Sequence, residues 1–285
     1  MRTSAIIALV VAGVGFLIAG LAVVRRQLAG ARGLEKLIVC GPAFVASALA
    51  TFGAEHFLDA RELLPIVPAW MPFRVFWVYF VGTALFAAAL SFVARRYMRT
   101  AAFWLAAMFW IFVLLTIVPG LAKHPDNRLF WVLLCRETTF GMGAFAYGGM
   151  LAGLAWPRTI ARIVVGIVLG FYGVVHFLQL DHVPGVPLEK LTPGWIPAPH
   201  LWAGICGVIL LVASVGLLLN QRARLMAAIA GLAATALTFF FYLPIFVVDP
   251  PALRLEGVNY IWDTLLFAGT LLMLAAAMPD DAGRA

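Results

Sequence analysis

The chain is predicted to be an all-α integral membrane protein: two four-helix transmembrane bundles built as parallel repeats, preceded by one N-terminal span, about nine helices. Three observations predict this. Hydrophobic residues make up 64% of the 285 positions and charged residues only 12%, about half the charged share of a soluble domain. Apolar runs of about twenty residues recur along the chain, each long enough to cross a bilayer core as a helix. The pattern G-x-x-H-F-L occurs twice, in GAEHFLD (Gly53–Asp59) and GVVHFLQLD (Gly173–Asp181), each time where such a run ends.

Taken in order, the runs place helices near 3–24, 36–58, 73–94, 101–120, 129–153, 159–180, 200–219, 224–247 and 258–278. The first resembles a signal peptide in its basic start, but its apolar stretch is long and no A-x-A site closes it, so it is read as an uncleaved anchor. Arg25, Arg26, Arg32 and Lys36 follow the first run, Arg95, Arg96 and Arg99 the third, Arg158 and Arg162 the fifth, and Arg222 and Arg224 the seventh. Positive charge collects in cytoplasmic loops. Every second connection is therefore expected inside, with the N-terminus outside and the tail PDDAGRA inside. The net charge of +7 needs no nucleic acid to explain it.

The repeated motif opens a longer correspondence. With His56 set against His176, Gly53, Phe57 and Leu58 fall on Gly173, Phe177 and Leu178. After a five-residue insertion the register continues through Pro68/Pro193, Trp70/Trp195, Pro72/Pro197, Trp77/Trp202, Gly82/Gly207, Arg99/Arg224 and Pro119/Pro244; a further one-residue shift sets Glu137 beside Asp263. The organisation is thus an anchor and basic loop (1–33), a first unit (34–154), and a second unit with a short tail (155–285). Four spans per unit make the repeats parallel, related by an axis along the membrane normal.

Each unit links its first two helices by a loop containing P-x-W-x-P. Proline cannot continue a lipid-exposed helix, and tryptophan suits the headgroup boundary. Each link is expected to dip to the interface, either as an aromatic anchor or as a lid over a site, with Trp70 and Trp195 as binding aromatics. Ionisable groups at membrane depth mark bundle interiors or wet cavities. His56 and His176 end the first helix of each unit. Glu137 lies about eight residues into the fourth helix, hence about 12 Å deep at 1.5 Å per residue, and Asp263 is slightly shallower. If first and fourth helices are neighbours, each histidine faces the carboxylate of its own unit. Arg136 then snorkels outward or pairs with Glu137 or Glu55. Such a pair reads either as a polar clasp between helices or as a proton-accepting site for a quinone head group, since histidine titrates near neutral pH.

Cys40, Cys135 and Cys206 stand apart with no C-x-x-C, which excludes an obvious zinc, iron–sulfur or thioredoxin-like site; buried free thiols are expected rather than a Cys135–Cys206 bridge. No second deep histidine faces His56 or His176, which leaves a bis-histidine haem poorly provided for. A metal on Glu55, His56 and Asp59 is disfavoured because successive helical residues point apart, and no metal is assigned. The glycines of FGMGAFAYGG are helix-packing surfaces rather than a nucleotide loop.

The order G-x-x-H-F-L, Pro-Trp-x-Pro loop, WVYFVGTAL, basic ARRYMR turn and a third helix ending in proline resembles the DoxX family, and GFYGVVHFLQLDHV…LTPGWIPAPHLWAGICGVILL resembles it again, over about 245 residues as a tandem duplication. Family members are usually a single four-helix unit, and some are DoxD-type subunits of thiosulfate:quinone oxidoreductase. The resemblance implies a bacterial inner-membrane protein linked to quinone or sulfur redox chemistry as an oxidoreductase subunit. His56 and His176 take the family's histidine position, and Trp70 and Trp195 its loop aromatic. Glu137 and Asp263 join the histidines as candidate catalytic groups, and Glu55 and Arg136 join the tryptophans as candidate binding groups. Quinone is the cofactor implied. The partners are the lipid bilayer and a soluble redox protein or sulfurtransferase, with homo-oligomerisation left open. The first unit departs from the second in Arg74 for Pro199 and AEH for VVH, so the two pockets need not do one job. The alternative is a non-catalytic scaffold holding a soluble redox or envelope partner on loops 59–72 and 181–199.

Overall fold

Sequences this apolar must satisfy their backbone groups internally, which in lipid leaves helices. The computed structural model describes residues 3–279; the tail beyond lies outside the described residues. Among the described residues there are nine long helices: α1 (Thr3–Gly30), α2 (Glu35–Leu58), α3 (Arg74–Ala94), α4 (Met98–Lys123), α5 (Arg128–Leu151), α6 (Trp156–Leu178), α7 (Pro199–Leu218), α8 (Ala223–Val248) and α9 (Arg254–Ala277). Eight of the nine are long and apolar enough to cross a membrane, and α5 is the exception. It carries Arg128, Arg136 and Glu137 and packs among α4, α6 and α9. Helix α1 runs six residues past its predicted end because Arg25, Arg26 and Gln27 continue it: 28 residues span about 42 Å, more than the ~30 Å core.

Helices α4 and α8 each contain one π-helical turn, Val113–Ile117 and Thr238–Tyr242, immediately before Pro119 and Pro244. Proline has no N–H and its ring crowds the carbonyl four residues back; a π-turn is one way for the ladder to widen at that point.

The packing order differs from two side-by-side bundles. Helix α2 lies against α1, α3 and α9, and α5 lies against α4, α6 and α9. The first helix of each half therefore packs against the last helix of the other half, and α2 and α5 have at most marginal contact. The result is a ring from α2 through to α9 and back to α2, with α5 and α9 also touching across its middle and α1 outside on α2. Exchanging the halves carries every one of these ring contacts onto another.

Local geometry recurs at the positions the sequence correspondence pairs. The indole N–H groups of Trp77 and Trp202 donate to the carbonyls of Pro72 (3.0 Å) and Pro197 (3.1 Å). Phe73 and Ala198, which cap α3 and α7, are both left-handed, with φ 53° and 52°. The backbones of Gly53 and Gly82 meet closely, as do those of Gly173 and Gly207. Helix α1 has no counterpart. It is held by the Ser47 hydroxyl, which donates to the Gly13 carbonyl (2.7 Å) and accepts from the Trp262 indole (3.0 Å), joining α1, α2 and α9. At the basic end, Arg224 grips Glu35 through two bonds of 3.1 and 2.7 Å and donates to the Ala275 and Met278 carbonyls.

Where α5 crosses α9, Gly143 lies directly on the Thr270 backbone, and a methyl group there has no room. Gly143→Ala is expected to force the crossing apart and cost about 1–3 kcal/mol, read as a lower midpoint of thermal unfolding in detergent. Gly15→Ala, where a Cβ meets nothing within 4 Å, leaves that midpoint unchanged.

Candidate functional site

The predicted polar residues gather at the loop end of the ring, but with partners other than those expected. The guanidinium of Arg136 on α5 reaches Asp263 on α9 at 2.6 Å and its neighbour Glu137 at 2.9 Å. It also lies over the Phe140 ring, 5.9 Å from the centroid, where a cation is attracted by the π face. One cation thus bridges the carboxylates of both halves. Pairing with Glu137 was expected; Asp263 was not, because it becomes a neighbour only through the α5–α9 crossing. Glu55 is buried and accepts instead from the Asn259 side chain on α9 at 3.3 Å.

Neither histidine bonds a carboxylate. His56 Nδ1 lies 2.7 Å from the Phe52 carbonyl, and His176 Nδ1 lies 2.6 Å from the Tyr172 carbonyl. A carbonyl can only accept, so each Nδ1 carries a proton, and in the neutral ring each Nε2 is an acceptor. The expected His–acid pair within each half is thus absent for a topological reason: α5 does not pack on α2, and α9 meets α6 only at its margin, through Phe267 against Tyr172.

The two acceptors meet different surroundings. His176 is 0% exposed, and its Nε2 accepts from the Gly185 amide at 3.0 Å. That amide belongs to a segment of the α6–α7 connection, Val183 to Leu188, all six residues of which are buried. The Tyr172 hydroxyl bridges the Val132 and Val186 carbonyls at 2.9 and 3.1 Å. Arg128 donates to the Leu188 carbonyl and pairs with Glu189 at 3.3 Å. Lys190 reaches Asp249 at 2.7 Å. The segment is a plug, sealed by bonds from α5 and α6 and by an ion pair just beyond α8. The α2–α3 connection, residues 59–73, has no buried residue, and His56 is only half-buried. Arg74 holds this loop, donating to the Val67 and Leu64 carbonyls at 3.0 and 2.6 Å.

The expected lid is therefore present in one half only, and its body is V-P-G-V-P-L rather than the tryptophan. Trp70 is 72% and Trp195 50% exposed, both at the loop end in the position of interfacial anchors. Tyr172, Arg128, Asn259 and the plug itself were not among the predicted site residues. The five-residue insertion in the second loop was their visible signal. All three cysteines are free thiols. Among the described residues no group of three His, Cys, Asp or Glu side chains is placed to hold a metal ion.

Comparison with known proteins adds a family of unknown function. The model for DUF8561, a domain of unknown function, matches residues 45–125, from α2 to just past α4. No curated protein and no solved structure matches the chain.

Removing the shared cation leaves two carboxylates facing each other out of water. Arg136→Ala is expected to cost about 3–5 kcal/mol, whereas Arg136→Met combined with Glu137→Gln and Asp263→Asn recovers most of it; thermal unfolding of the purified variants distinguishes the two. Just before the plug, partial burial, with Arg128 nearby as a second cause, lowers the affinity of His182 for a proton below its ordinary value. The unfolded state then binds more protons, so this contribution to stability is full above about pH 6.5 and is lost as pH falls below it. The stability difference between wild type and His182→Leu is expected to move against wild type between pH 7.5 and 5.5, read as paired thermal midpoints.

Proposed function

We propose that the chain is a tandem duplication of a DoxX-like four-helix unit behind an N-terminal anchor, set in a bacterial inner membrane with its loop end outside, and that it acts as a scaffold presenting that end to a soluble redox or envelope partner. The duplication is supported by the paired Trp–Pro bonds, left-handed caps and π-turns, and the orientation by the arginine-rich connections that share the opposite end. The observation that carries the scaffold reading is the sharing of Arg136 by Glu137 and Asp263. The groups best suited to proton chemistry are committed to holding the halves together, while Ile66, Trp70 and Phe73 stand exposed on the α2–α3 loop. Exposed aromatics and isoleucine together make the kind of apolar patch that contacts a partner or headgroups.

A second reading, handling of a quinone or similar lipophilic redox molecule, is supported by one feature: the bare Nε2 of half-buried His56 at the loop end. Recovery of a soluble partner by cross-linking in native membranes separates the readings. On the scaffold reading, Trp70→Ala with Phe73→Ala abolishes recovery, while His56→Ala leaves it and no quinone co-purifies. On the redox reading, purified protein carries a quinone that mass spectrometry detects and His56→Ala loses, and the loop variant keeps it.

A further inference from the structure

At the basic end, opposite the loops, an apolar groove opens beside an unpaired cation. Helices α2 and α8 are each laid on Leu272 of α9 through a glycine: a Cβ on Gly41 or Gly231 would come within 3.0 or 2.8 Å of that side chain. The two helices touch one another little, so a cleft stays between them. Its walls are Leu34, Leu37 and Cys40 on the α2 side, Leu232 on α8 and Leu28 from the last turn of α1, and it measures about 250 Å³. Leu232 lies nine residues along α8, about 13 Å from the basic end at 1.5 Å per residue. The groove therefore runs from headgroup level into the depth of the acyl chains. Charge is confined to its rim. Lys36, in the first turn of α2, lines the groove and is exposed, and its ammonium has no hydrogen bond or ion pair among the described residues. The adjacent carboxylate, Glu35, is already paired with Arg224 of α8 at 2.7 Å. Arg32, in the turn between α1 and α2, is exposed and likewise unpaired among the described residues. A second groove, between α1 and α3, is lined by Val11, Phe16, Leu90 and other uncharged residues.

We infer that the groove between α2 and α8 is a binding site for one anionic phospholipid of the adjoining leaflet. An acyl chain lies along Leu37, Cys40 and Leu232, and the phosphate sits on Lys36 with Arg32 beside it. A chain that leaves other lipid chains gains little by entering an apolar groove. The groove therefore fixes position, and the cations choose the headgroup. Near a membrane surface each lysine or arginine favours anionic lipid by about fivefold. Because the lining comes from α1, α2 and α8, an occupant ties the N-terminal anchor to both halves. The site requires the basic end to lie at one membrane surface and is independent of the partner proposed for the loop end.

The probe is dioleoyl phosphatidylglycerol, titrated into the intact protein in mild detergent and counted by native mass spectrometry, with dioleoyl phosphatidylcholine in parallel. The tightest-bound lipid is expected to be a single phosphatidylglycerol, held about fivefold or more tighter than the first phosphatidylcholine. Lys36→Gln is expected to weaken it about fivefold. Leu232→Trp, which fills the groove from an exposed position, weakens it at least as much. Arg96→Gln, at the same end but outside the groove, leaves the affinity within about twofold. Inorganic phosphate in excess, at matched ionic strength, does not displace the lipid. Lys36 and Leu232 are both exposed, so both variants fold, which unchanged thermal midpoints in lipid-free detergent confirm. Equal affinity for the two lipids, or wild-type affinity in Lys36→Gln or Leu232→Trp, overturns the inference. A loss in Arg96→Gln as large as in Lys36→Gln overturns it in favour of general surface attraction, and displacement by phosphate in favour of a soluble anion. Recovery of a partner through Trp70 and Phe73 is unaffected by Lys36→Gln, so failure here leaves the scaffold reading standing.

Discussion

The architecture depends on a single guanidinium. Arg136 lies where the final helices of the two halves cross, and among the described residues it is the one cation that both carboxylates, Glu137 and Asp263, share. In a low-dielectric interior a carboxylate without a partner is expensive, so neither half can draw away from the other without stranding charge. Apolar side chains are nearly as comfortable against lipid tails as against protein. They let helices touch but say little about which helices should. The ionic triad, the Ser47–Trp262 bond and the Arg224–Glu35 grip supply that choice, one at each level of the ring. The Gly143–Thr270 contact then sets how near α5 and α9 come. Buried ion pairs often add little net stability; what this one adds is register, since it closes only with α5 and α9 adjacent.

That constraint explains why the histidines and acids part company. Once the fourth helices of the halves are joined to each other, each first helix is displaced onto the opposite half. His176 then meets the buried segment of the loop that follows it, while His56 stays half-buried at the end of α2. The histidine and the carboxylate roles thereby become separate: one triad that joins the halves, and one imidazole, His176, that holds a loop of its own chain.

Helices, their approximate ends, the corresponding positions of the halves and the grouping of basic connections were legible because each rests on local pattern: run length, arginine spacing, a repeated motif. The five-residue insertion was legible as a gap but not as a plug, because burial of V-P-G-V-P-L requires the space between α5, α6 and α8 to exist first. The His–acid pairing was misread for a related reason. It assumed that helices of one half neighbour one another, and neighbour choice among apolar helices is encoded in a few polar and glycine contacts far apart in sequence. Arg136 with Asp263 spans 127 positions and Glu35 with Arg224 spans 189; no window of the sequence contains either.

The two loops then differ in what holds them. The second loop's longer segment is held by His176 at the end of α6 and Arg128 at the start of α5, with the Lys190–Asp249 pair beside them. Sealing fixes α5 and α6 to the loop through Tyr172, whose hydroxyl joins Val132 on α5 to Val186 in the plug. The first half has Phe52 at the matching position and so lacks that latch. Instead Arg74, where the second half has Pro199, holds its own loop through the Val67 and Leu64 carbonyls. With the latch absent and the loop five residues shorter, no residue of 59–73 is buried, so corresponding helices end in two different surfaces.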